Sequence, residues 1–82
     1  MIFLVEYDRQ TKRTLLFKTF KDIERRQAQE ERLEIELERN RTGVLLKREV
    51  LLLEARREKD LRRTHERYFA NLPKTLKSPA TA

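Results

Sequence analysis

The chain has no cysteine and no tryptophan, and only one glycine, two prolines and one histidine among its 82 residues. Without cysteine there is no disulfide staple, no thiolate metal centre and no cysteine nucleophile. The lone histidine, His65, cannot make a zinc site of ordinary composition. The lone glycine, Gly43, cannot build a glycine-rich phosphate loop. Long apolar runs are missing too. Met1 to Val5 is apolar but short, has no basic residue ahead of it and passes straight into Glu6 and Asp8, so it reads as neither a signal sequence nor a membrane span. A cytoplasmic location with no membrane contact is the expectation.

Charge is abundant: 20 Lys and Arg against 14 Asp and Glu give a net +6. A basic surplus invites a nucleic-acid partner, but no segment is a polybasic block. Acids and bases alternate throughout, and on helices that mixture describes a solvated face joined by weak ion pairs. A chain of this length buries one modest core, read here as a single domain over residues 1–72.

The organising stretch is EVLLLEA, Glu49 to Ala55. At 100° per residue, Val50, Leu51, Leu52 and Leu53 point in four directions and cannot share one helix face. The segment is therefore a buried strand or the middle of a buried helix. Leucine favours helix, and Ala55 with Arg56 makes a poor N-cap for whatever follows. Beyond it, however, Glu58 and Asp60 precede Arg62, Arg63 and Arg67, a fresh acid-to-base gradient of the kind that marks a new helix starting near Arg57. The stretch is read as a strand.

Ile2 to Tyr7 is rich in β-branched and aromatic residues and suits a central strand. Asp8 to Arg13 lacks a tight hairpin pair, which predicts a longer loop around a type I turn opened by Asp8. Thr14 to Lys18 is the returning antiparallel strand. Thr19 and Asp22 resemble a capping box, and a helix runs from there to about Arg41, closed by Thr42 and by Gly43 in a left-handed cap. Ile23, Leu33 and Leu37 share one stripe of that helix, interrupted by Arg26 and Glu30, with Ile35 almost opposite. In the second helix Leu61, His65, Tyr68 and Leu72 form the inward stripe, with Phe69 at its edge. Pro73 stops it, and 73–82 is expected to be disordered.

The predicted fold is α+β, ββαβα. A right-handed crossover brings the third strand back parallel to the second and beside the first, giving a sheet of order 2-1-3. Alternation then sets Phe3, Val5, Tyr7, Leu15, Phe17, Leu51 and Leu53 on one face. The other carries Ile2, Leu4, Leu16, Val50 and Leu52, with Glu6, Lys18 and Glu54 toward its rim. If both helices cover the Phe3 side, the opposite face is left bare, larger than a soluble monomer tolerates. If they take opposite faces, the monomer is complete. The expectation is the former, with self-association as a homodimer through Ile2, Leu4, Leu16, Ile35, Val50 and Leu52.

No catalytic set converges. His65 has Thr64 and Glu66 as neighbours but no serine, cysteine or second histidine, and a histidine on an apolar stripe more often fills space. The acids Glu34, Glu36 and Glu38 splay around their helix rather than meeting on a metal. A coiled-coil seam through Ile23, Leu33, Leu37 and Val44 is spoiled by Arg26, Glu30 and Asn40. The expected role is a non-enzymatic interaction or adaptor module, without a cofactor, binding itself or another protein. The alternative is nucleic-acid binding through the basic tail and Arg56, Arg57, Arg62, Arg63 and Arg67 of the second helix, with Tyr68 and Phe69 available to stack. Phe3, Tyr7 and Phe17 would be the aromatics of an RNA-binding sheet.

Overall fold

A computed structural model describes residues 1–70 and the pair Lys77–Ser78. The strands are β1 (Ile2–Asp8), β2 (Arg13–Phe20), β3 (Arg48–Glu54) and the two-residue β4 (Lys77–Ser78); the helices are α1 (Arg25–Arg41) and α2 (Glu58–Thr64). The sheet order is β3-β1-β2-β4, with β1 central and antiparallel to both β2 and β3, while β4 runs parallel to β2 at Phe17 and Lys18. The expected α+β fold with order 2-1-3 is therefore present. The expected disorder of 73–82 lies outside the described residues, apart from the pair in β4.

All of EVLLLEA but Ala55 is strand, because β1 pairs with it from Ile2 opposite Glu54 to Asp8 opposite Arg48 without a register break and sets Phe3, Leu4 and Val5 against Leu53, Leu52 and Leu51. The first hairpin turns on Asp8, whose Oδ1 accepts the amides of Gln10 (2.8 Å) and Thr11 (3.2 Å) and whose carbonyl accepts that of Lys12 (2.8 Å). These bonds hold the Asp8 carboxyl below its ordinary range, the Thr11 amide contributing most. Between Glu6 and Tyr7 the hairpin register shifts by a bulge, so Glu6 pairs with Leu16 but Tyr7 with Thr14. Leu15, expected on the Phe3 face, is the inserted residue and is exposed. Thr14 takes the inward place and donates to the Tyr68 carbonyl at 2.6 Å.

The two helices occupy opposite faces of the sheet. Phe3, Val5, Tyr7 and Phe17 pack with Leu61 and Tyr68 from the α2 side. Ile2, Leu4 and Phe20 pack with Ala28 of α1, and Ile35 joins them. The arrangement expected to leave the Ile2 face bare is thus corrected: α1 covers it.

Three local boundaries also differ from expectation. Thr19 belongs to β2 rather than to a helix cap. The helix entry is at Lys21, whose amide donates to Glu24 Oε1 (2.7 Å), followed by a 3-10 turn at Asp22–Glu24. The second helix breaks at His65 (φ −132°, ψ 53°) into a 3-10 turn, Glu66–Tyr68. That break swings Tyr68 onto Tyr7, edge to face at 5.3 Å. Gly43, at φ 79°, closes α1 as predicted.

The third correction is the face of α1. Ile23, Leu33 and Leu37, the predicted stripe, are 92%, 52% and 60% exposed, whereas Ala28 is fully buried. The inward side is Ala28, Glu31, Ile35 and Arg39, spaced by three or four residues. Ala28 allows close approach to the strands. The charges of this side answer those of the sheet: Arg25 pairs with Glu54, Glu31 with Lys18 (2.8 Å), and Arg39 with Glu6 (2.7 Å).

Candidate functional site

The six residues expected to form a self-association surface divide into two groups. Ile2 and Leu4 are buried beneath α1 (1% and 0% exposed), so they offer no surface in this chain. Leu16, Ile35, Val50 and Leu52 are half-buried around that core. Val50 and Leu52 belong to β3, where Leu51 and Leu53 on the other face are also half-buried. An apolar strand covered on both sides remains half-exposed here for one reason: it is the edge of the sheet.

The hydrogen-bond phase of that edge follows from the two bonds that bracket the ladder. The Ala55 amide donates to the Met1 carbonyl (3.1 Å), and the Arg9 amide to the Lys47 carbonyl (2.9 Å). In an antiparallel ladder alternate residue pairs exchange bonds. Glu49, Leu51 and Leu53 therefore turn their N–H and C=O groups toward β1, and Arg48, Val50, Leu52 and Glu54 turn theirs outward. The Arg48 amide is taken by the Leu45 carbonyl. Among the described residues, the amides of Val50, Leu52 and Glu54 meet no backbone acceptor. Edge strands are ordinarily protected by a bulge, a proline, a lysine or a covering segment. β3 has an unbroken register and neither proline nor lysine. Beside it, a groove of ≈ 410 Å³ opens between Leu45, Leu46, Glu36 and the first half of the strand.

The start of β3 is anchored by a buried ion network that sequence reasoning placed at the rim. Glu6, 2% exposed, accepts a fork from Arg39 (Nε to Oε2 2.7 Å, Nη2 to Oε1 3.1 Å) and a third bond from Arg48 Nη1 (2.7 Å). Arg48 Nε lies 3.5 Å from Asp8 Oδ2. Burial pushes the Glu6 carboxyl up, and the hydrogen bonds and charges of Arg39 and Arg48 more than reverse this, leaving it below its ordinary range. The network ties α1 to β1 and β3 through Glu6, Arg39 and Arg48. A signal for it existed: the rim charges Glu6, Lys18 and Glu54 share a face, and so do Arg25, Glu31 and Arg39.

Three of the five proposed nucleic-acid arginines are paired with acids. Arg57 pairs with Asp60 (3.6 Å), Arg62 with Glu58 (2.9 Å) and Arg67 with Glu49 (2.7 Å). Arg62 also lies over the Phe69 ring at 5.0 Å, and Arg67 over Tyr68 at 4.9 Å. Arg56 and Arg63 are exposed, with no acid at ion-pair distance among the described residues. Phe3, Tyr7 and Phe17 are buried under α2 and present no stacking face. His65 stacks on Tyr68 at 6.0 Å, and its Nδ1 lies 2.8 Å from Thr64 Oγ1. Leu72 lies outside the described residues.

Among the described residues no three acidic or histidine side chains converge as metal ligands, and no helix is long and apolar enough to cross a membrane. No protein-family model, curated protein or solved structure matches the chain.

Proposed function

We propose that the protein is a non-enzymatic interaction module of the cytoplasm that works as a homodimer, held together through an apolar surface. One observation carries this reading: the four central residues of β3, Val50 to Leu53, are apolar and half-exposed although both faces of the sheet are covered by the chain's own helices. A strand of that composition belongs inside a sheet. The five candidate arginines in and beside α2 support a phosphate-binding role less well, since three of them hold acids.

Sedimentation of the purified protein over a wide concentration range, in low and physiological salt, with and without a short mixed nucleic acid, tests the reading. A dimer indifferent to salt is expected. A monomer up to high micromolar concentration overturns it. A monomer that comigrates with nucleic acid only at low salt replaces it with binding through Arg56, Arg63 and their neighbours.

A further inference from the structure

Resting on the self-association just proposed, we infer that β3 pairs antiparallel with β3 of a second copy about a two-fold axis at Leu51, joining the two sheets into one. The outward-turned residues decide which registers are open. Within β3 only Arg48, Val50, Leu52 and Glu54 present edge groups, Arg48 its carbonyl alone because Leu45 holds its amide, so bonded pairs across the interface must be drawn from these four. Setting Leu51 opposite its own copy uses all of them: Val50 faces Leu52 of the partner subunit, and Arg48 faces Glu54 of the partner subunit, at both ends of the strand. A two-fold at Val50 leaves Glu54 without a partner and sets Arg48 against Leu52 of the partner subunit; one at Leu52 leaves the Arg48 carbonyl unused and sets Glu54 against Val50 of the partner subunit.

Charge selects the same register. Arg48, which also holds Glu6 and Asp8, and Glu54, which also holds Arg25, lie on the α1 side of the sheet with Val50 and Leu52 between them. Opposite charges facing across neighbouring strands stabilise an antiparallel pair, and like charges destabilise it. The strand REVLLLE reads positive at one end of that face and negative at the other, which is self-complementary only when antiparallel. A parallel pairing would set arginine beside arginine. The apolar centre then becomes continuous across the axis on both faces, and an edge that no other described strand pairs with is covered. The opposite edge of the sheet is not equivalent, because β2 already receives β4 at Phe17 and Lys18.

Three measurements test this. In the protein as it stands, amide exchange followed residue by residue should change with concentration in a defined pattern. The Val50, Leu52 and Glu54 amides exchange rapidly when dilute and become as slow as those of Leu51 and Leu53 once the dimer forms. The second uses the absence of cysteine, which makes any introduced thiol unique. At the two-fold, Leu51 and its copy are a non-bonded pair with Cα atoms about 4.5 Å apart, within disulfide range. Leu51→Cys should therefore oxidise to a covalent dimer, about tenfold more than Val50→Cys or Leu52→Cys. Glu54→Arg should weaken the dimer by about tenfold, since it sets arginine against Arg48 twice.

A dimer that crosslinks through Val50→Cys or Leu52→Cys instead overturns the register. A dimer in which these amides stay unprotected, and which crosslinks through Leu33→Cys or Leu37→Cys, overturns the edge pairing while leaving self-association standing. A monomer at every concentration overturns both. If Leu51→Cys fails to fold, the exchange pattern of the unsubstituted protein decides alone.

Discussion

Replacing Arg39 by alanine removes the fork on a carboxylate that is 2% exposed and leaves Arg48 as its sole remaining cation within 3 Å. Breaking a buried ion pair by deleting one partner costs about 3–5 kcal/mol, because the surviving charge stays desolvated. Here the cost is smaller. Arg39 is itself 30% exposed, and Arg48 continues to hold Oε2, so about 2–3 kcal/mol is expected at neutral pH. For a domain of this size that lowers Tm by roughly 10–20 °C. The loss also depends on pH, and the sign follows from the depressed carboxyl. A carboxylate whose folded pKa lies below its unfolded value, ordinarily 4.5, contributes stability that is present above 4.5 and is lost as pH falls through the folded value. Without Arg39, burial is no longer outweighed to the same degree, and Glu6 takes up its proton earlier. The stability gap between the native chain and Arg39→Ala should therefore hold near pH 7 and narrow once pH falls into the range where Glu6 titrates, toward about 3. Urea unfolding at matched protein concentration measures it, concentration being held fixed because association adds to apparent stability. Arg39→Lys, which keeps the charge but not the fork, should fall between the two. A gap below about 0.5 kcal/mol at pH 7, or one that does not change with pH, would refute the account of Glu6 as a buried charge held by arginine.

The orientation of α1 gives a paired test. Ala28→Leu forces bulk into the helix–sheet contact and should cost about 1–3 kcal/mol, whereas Leu37→Ala, on the exposed side, should change unfolding by less than about 0.5 kcal/mol in dilute solution; the reverse ranking would restore the face suggested by apolar spacing. Gly43→Ala should cost about 1 kcal/mol, read by thermal unfolding, purely from the left-handed backbone, since an added Cβ meets no atom within 4 Å. Thr14→Val, which removes a buried donor to the Tyr68 carbonyl, should cost about 1–2 kcal/mol and can be checked by the same unfolding measurement.

Much of the architecture could be read from the residues because it depends on short-range pattern. Four consecutive apolar side chains in Val50–Leu53 suit neither face of an amphipathic helix, the charge gradient restarts at Glu58, and Asp8 and Gly43 carry turn chemistry that acts locally. The strand order followed from connection lengths and crossover hand. The bulge at Leu15 was not legible, since it shows only when β2 is laid against β1 and Thr14 finds the Tyr68 carbonyl. The same holds for the break at His65, where stacking on Tyr68 and the Tyr7–Tyr68 contact outweigh a helix that residue preferences alone would continue.

By itself the sequence determined the elements, their order and the two apolar faces of the sheet, because backbone preference and alternation are properties of neighbouring residues. Only the tertiary structure decided which side of α1 turns inward and which strand ends the sheet. Counting apolar residues along α1 favours Ile23, Leu33 and Leu37, but the sheet beneath it carries Glu6, Lys18 and Glu54, and a buried carboxylate without a cation is costlier than a leucine in water. Arg25, Glu31 and Arg39 therefore face the sheet, with small Ala28 between them letting the helix approach. With α1 set over Ile2 and Leu4, neither sheet face lies open, and the outer rim of β3 carries outward amides that are defined by its pairing with β1.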